Sequence, residues 1–88
     1  MMLPVSDEVM LPVSASIDDE HLALYFDWSV GNATITVYDA SNNVIHRETV
    51  DTDYSLEVYI SSSSWSSGSY YVTINYGTTN LIGDFEME

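Results

Sequence analysis

The chain has no cysteine, no lysine and a single arginine, and its only prolines are Pro4 and Pro12. Without cysteine there is no disulfide to staple the fold and no thiol chemistry, and redox compartment cannot be read from thiols. Arg47 and two histidines stand against 14 carboxylates, a net charge of −13. A nucleic-acid backbone must be met by several Lys or Arg, so nucleic-acid binding is excluded as a function class. Anionic membrane surfaces are disfavoured for the same reason. No apolar run approaches the length of a membrane span, so membrane insertion is not expected. Met1–Leu3 is followed by Pro4 and then Asp7-Glu8, without the basic start and apolar stretch of a leader. What the charge does suit is a cationic partner, a hard metal ion or, most simply, colloidal solubility.

What is present is a core. Of 88 residues, 45% are hydrophobic, and seven of the aromatics are Tyr. That is enough for one modestly sized domain and too apolar for disorder. Alternating runs recur about every ten residues. Val9, Leu11, Val13, Ala15 and Ile17 form a first strand, and Asp18-Asp19-Glu20 a turn. Leu22, Leu24, Phe26 and Trp28 face inward on a second, with Ala23, Tyr25 and Asp27 outward. After Gly31-Asn32, Ala33, Ile35 and Val37 face in and Thr34, Thr36 and Tyr38 out.

Asp39–Asn43 is a turn cluster, since Asn and Asp tolerate left-handed backbone and bond their own main chain. Val44–Val50 is the least regular strand. Past Asp51-Thr52-Asp53, Leu56, Val58 and Ile60 face in, with Glu57 and Tyr59 out. A Ser-rich connection containing Trp65 ends at Gly68. Tyr70, Val72, Ile74 and Tyr76 then alternate with Tyr71, Thr73 and Asn75. Gly77–Asn80 makes a hairpin, and a last strand runs from Leu81 to about Met87. Seven strands with no helical period predict an all-β, antiparallel sandwich over residues 9–88, preceded by a flexible segment, 1–8. A barrel this small would be harder to fill.

Met2-Leu3-Pro4-Val5-Ser6 recurs as Met10-Leu11-Pro12-Val13-Ser14. Five residues are too few for a repeat fold. Two near-identical segments could nonetheless compete for one edge-strand slot, and a displaced copy could add to a neighbouring molecule. A strand-exchange assembly module, monomeric or weakly oligomeric, is the reading this repeat supports.

Ser66-Ser67-Gly68-Ser69-Tyr70-Tyr71-Val72 resembles the immunoglobulin-type corner, in which a Tyr hydroxyl bonds back to main chain. Val72 stands where antibody domains place a cysteine. Thr36–Ile45, with its Val-Tyr-Asp, turn, Asn and Val, resembles a hairpin of small Bacteroidetes surface domains. Glu48–Asp51, the Ser-Gly-Ser-Tyr-Tyr strand and Gly83–Met87 extend the likeness from Pro12 to Glu88. The whole resembles the domain-of-unknown-function 3244 family of secreted, Ig-like or transthyretin-like sandwiches. The resemblance implies a secreted, periplasmic or cell-surface location and a non-catalytic module, with an unknown protein or glycan as partner. It carries fold far better than function. The sorting domains of type IX secretion share similar hairpins. They carry a Pro-Asn-Pro element and a basic final strand, however, whereas Asp84–Glu88 is acidic.

Chemistry-bearing groups are sparse. Neither His21 nor His46 belongs to a nucleophile motif, and Asn32-Ala33-Thr34, a glycosylation pattern, carries no meaning in a bacterial host. No cofactor is expected, unless calcium sits at the acidic turns Asp18-Asp19-Glu20 and Asp51-x-Asp53, which offer the oxygen ligands a hard cation prefers. Tyr25 with Tyr59 on one outer face, and Tyr38 with Tyr71 on the other, could stack on sugar rings, which makes carbohydrate binding the alternative function. Cross-strand packing is the plainer role for those pairs. Trp65 is a further candidate contact, although a plug over one end of the sandwich suits it better.

Overall fold

Residues 13–87 are described in a computed structural model of the chain. The strands are β1 (Val13–Ile17), β2 (His21–Phe26), β3 (Asn32–Asp39), β4 (Val44–Asp51), β5 (Glu57–Ser61), β6 (Gly68–Tyr76) and β7 (Thr79–Met87). They form two antiparallel sheets, β1-β2-β5 and β4-β3-β6-β7, packed as a sandwich. The expected fold class is the one observed. The fourth strand stays beside the third rather than crossing to β5, which distinguishes it from the constant-type immunoglobulin arrangement. The expected strand residues Val9 and Leu11, the segment 1–8 and most of the repeated pentapeptide lie outside the described residues.

Alternation builds the core. Leu22, Leu24 and Phe26 of β2 meet Ile35, Val37, Val72 and Ile74 from the other sheet, all nearly or wholly buried. Val58, Ile60, Leu81 and Phe85 close the sides. The Gly77 turn is tight, because Tyr76 already pairs with Thr79. Gly77 has φ +55°, the positive angle that the first central position of a type II′ hairpin turn requires. The last strand therefore starts two residues before its expected position.

Strict alternation fails in four places. Trp28 was expected inside but is 52% exposed, because β2 ends at Phe26 and the ring lies past the end of the facing sheet. Leu56, 38% exposed, is displaced for the same reason at the start of β5. Ala23 was expected outside but is buried, being small and set opposite the ring-bearing Tyr59. Thr36 is buried on the outer face, where Arg47 Nε donates to its hydroxyl at 3.3 Å. The irregularity of β4 has a definite cause. Val37 pairs with His46 and Tyr38 with Val44, leaving Ile45 as an extra, bulged residue that packs on the core.

Candidate functional site

The acidic turns are occupied with holding the backbone. Asp18 Oδ1 accepts the amides of His21 at 2.7 Å and Glu20 at 2.8 Å. Those bonds, the His21 amide first, hold the Asp18 carboxyl below its usual range. Asp51 Oδ1 accepts the amide of Asp53, and Asp53 accepts the Ser29 hydroxyl. Asp19 and Glu20 are exposed. Among the described residues, no group of three or more His, Asp or Glu side chains is placed to hold a metal ion. Asp39 closes the expected turn cluster Asp39–Asn43 in the same way. Its carboxylate accepts the amides of Asn43 and Ser41, both at 2.9 Å, and the Asn43 side chain. The Asn43 amide is the main cause of its lowered pKa.

The structure brings both tyrosine pairs together. Tyr25 and Tyr59 meet edge to face with centroids 6.1 Å apart, and His21 packs edge-on to Tyr59. The Tyr59 hydroxyl donates to Glu57 Oε1 at 3.2 Å. Its pKa is pushed up to about 12, by the hydrogen bond with Tyr25 first and by Glu57 second, since both disfavour the phenolate. Tyr38 and Tyr71 stack at 4.6 Å and 14°. The Tyr71 hydroxyl donates to Asn42 Oδ1 at 2.8 Å, tying β6 to the turn in which Asn42 takes φ +68°. Tyr38 and Tyr71 each spend one face on the other, and Tyr25 and Tyr59 stand nearly perpendicular, so neither pair forms a flat, open platform.

Trp65 is the plug. It stacks on Tyr70 at 5.6 Å and lies 6.2 Å from Phe85. The Tyr70 hydroxyl donates to the Ser66 carbonyl at 2.5 Å, the main-chain bond of a tyrosine corner. His46 Nε2 lies 2.7 Å from Glu48 Oε1, on the core-facing side of β4.

A second set of exposed aromatics lies on two loops, and Tyr59 itself is 55% exposed. Trp28 and the 88% exposed Tyr54 sit on the loops 27–31 and 52–56. The Phe26 amide donates to the Leu56 carbonyl at 2.8 Å, so the loops leave the sheet side by side. Buried Thr52 clamps them. Its hydroxyl donates to the Gly31 carbonyl and accepts the Val30 amide, both at 2.7 Å, and lies 3.2 Å from Ser29 Oγ. Trp28, Tyr54 and Leu56 are therefore exposed on a braced pair of neighbouring loops, and Tyr54 lines a shallow groove with Glu57 and Tyr59. Strand alternation concealed this end of the sandwich, because it assigns Trp28 and Leu56 to the core.

The family model described as a domain of unknown function, DUF3244, matches residues 4–87. No curated protein matches the chain. Among solved structures, the chain is similar to a DUF3244 family protein with an immunoglobulin-like β-sandwich fold from Bacteroides vulgatus. That match has 23% identity, covers 88% of this chain and 85% of the other, and gives a TM-score of 0.80.

Proposed function

The chain belongs to the DUF3244 family, and from that premise we propose that it is a non-catalytic recognition module of the cell envelope whose ligand is carbohydrate. The observation that carries this is the aromatic end formed by Trp28, Tyr54 and Leu56 on loops braced by Thr52. Flat, exposed aromatic rings offer a saccharide ring an apolar face to stack on. Loops that are already ordered lose little entropy on binding. The paired tyrosines serve instead as sheet-surface packing, and the acidic turns bond their own main chain, so recognition at this end needs no calcium.

The non-catalytic part rests on the histidines. His46 is engaged by Glu48 and His21 packs on Tyr59, and among the described residues neither bonds a serine or threonine hydroxyl. Nucleophilic catalysis needs that contact. The location rests on the family resemblance alone, and fractionation of the native host tests it.

A broad glycan array, run in calcium and again in chelator, tests the ligand class. The expected result is a specific set of hits, unchanged by chelator, lost in the W28A/Y54A variant and kept in Y38A/Y71F. A blank array, or hits that survive W28A/Y54A, would overturn the assignment.

A further inference from the structure

A two-sheet sandwich has four edge strands, and proteins normally defend them against pairing with other chains by short length, bulges, proline or inward charge. Two of the four edges, β5 and β4, are defended in these ways. β5 has five residues. β4 carries the Ile45 bulge and turns the His46–Glu48 pair toward the core side. β7 is neither short nor bulged, and its one defence is the negative charge of Asp84 and Glu86, which repels an acidic strand but not a basic one. It runs nine residues, and its register with β6 is unbroken from Gly68↔Met87 to Tyr76↔Thr79. Among the described residues nothing pairs with its outer side.

The outward side chains of β7 are specific in kind. Asn80, Ile82, Asp84 and Glu86 alternate on the solvent face, with Ile82 56% exposed. Asp84 and Glu86 line a groove of about 330 Å³ together with Ala40, Ser69 and Tyr71. The only salt bridge among the described residues is His46–Glu48, so no cation of the chain faces these carboxylates there. We infer that the free edge of β7 is a docking site for an extended, basic segment of a partner protein. That segment adds as a fifth strand, with Lys or Arg at two alternate positions facing Asp84 and Glu86 and an apolar residue facing Ile82.

Charge chooses this occupant over the other two. A second copy brings its own net charge of −13 to the edge. Residues 1–12 of the same chain contain Asp7 and Glu8 and no Lys or Arg. A basic strand gains main-chain hydrogen bonds from the edge and charge pairing from the face, the combination by which strand addition obtains affinity and specificity. A lysine on the added strand is long enough to reach across β7, laying its methylenes along Tyr71 with its ammonium at the groove carboxylates.

The test uses the full chain and a fluorescent ten-residue strand peptide whose one face carries lysine, lysine and valine at successive alternate positions, titrated by anisotropy and by amide NMR. The expected result is binding with shifts concentrated in residues 79–87. D84N/E86Q should weaken it about fivefold, in line with two cross-strand charge pairs of ~0.5 kcal/mol each. N-methylation of alternate peptide residues should abolish binding in one phase and spare it in the other, because only one set of peptide amides faces the edge. Equal effects of the two N-methylated peptides, or indifference to D84N/E86Q, would reduce the contact to diffuse charge attraction and overturn the proposal. So would protection from exchange, in the free protein, of those β7 amides that point away from β6, whether by a second copy or by residues 1–12. W28A/Y54A should leave peptide binding unchanged, which separates this site from the carbohydrate end.

Discussion

The hydroxyl of Thr52 makes its hydrogen bonds where water does not reach, at 2% exposure. Replacing it with Val keeps the shape but leaves the Val30 amide without its partner. T52V should therefore cost about 2 kcal/mol, the penalty for orphaning a buried polar group. Denaturant unfolding measures it, and a loss within 0.5 kcal/mol of zero, about the scatter of surface substitutions, would show that the loops are not held this way. The titrating groups give a second residue-level expectation. Asp18 and Asp39 have lowered folded pKa values, so their stabilising contribution is present above the unfolded value of 3.8 and is lost as pH falls through the folded values. Carboxyl NMR titrations of both should show midpoints below 3.8. Tyr59 has the opposite sign. Its folded pKa of about 12 lies above the ordinary tyrosine value of 10.0, so its contribution holds below 10 and is lost as pH rises through about 12. At this scale the tyrosine corner was legible, because Gly68 and Tyr70 stand at a fixed spacing. Thr52 was not, since nothing in Asp51-Thr52-Asp53 indicates that the middle side chain turns inward to bind another loop.

The elements were legible where both sheets overlap and failed at their ends. Period-two alternation locates β2 through Phe26 and β5 from Val58 correctly, because those positions have a facing sheet to be buried by. Trp28 and Leu56 continue the same alternation past that cover, and the pattern carries no information about where the cover stops. Their exposure is what exposes the candidate site. The two tryptophans should therefore behave in opposite ways. W65A removes the ring stacked on Tyr70 and Phe85 and should cost about 3 kcal/mol, as for loss of a large aromatic from a core. W28A should leave the melting temperature within about 2 °C of the parent, as for a surface change. Thermal melts of the two variants check this directly, and equal losses would contradict the placement of both rings. The repeated pentapeptide can be weighed at the same scale. Sliding the first copy into the place of the second would put Asp7 in the position of Ala15, which is buried against the core. An unpaired carboxylate there is costly, so strand exchange by this route is disfavoured by the residue that follows the repeat.

For the molecule as a whole, the dominant fact is its charge of −13 in a domain with one arginine. Crowded carboxylates repel one another more in the compact state than in the extended chain, and salt screens them over about 10 Å at 0.1 M. The melting temperature should rise with NaCl, and a flat or falling trend would show that repulsion is not a stability term. Composition made this legible without any coordinates, and with one arginine and no lysine it argues against nucleic acid as a partner. The ligand was beyond its reach, because the aromatic end and the open β7 edge depend on where strands stop and which edges are left uncovered. The most direct measurement of the central claim is therefore the glycan array, with wild type and W28A/Y54A run side by side in calcium and in chelator. Chelator-insensitive hits that disappear in the variant are the predicted result. A blank array, or hits indifferent to the loss of Trp28 and Tyr54, would contradict carbohydrate recognition at this end of the sandwich.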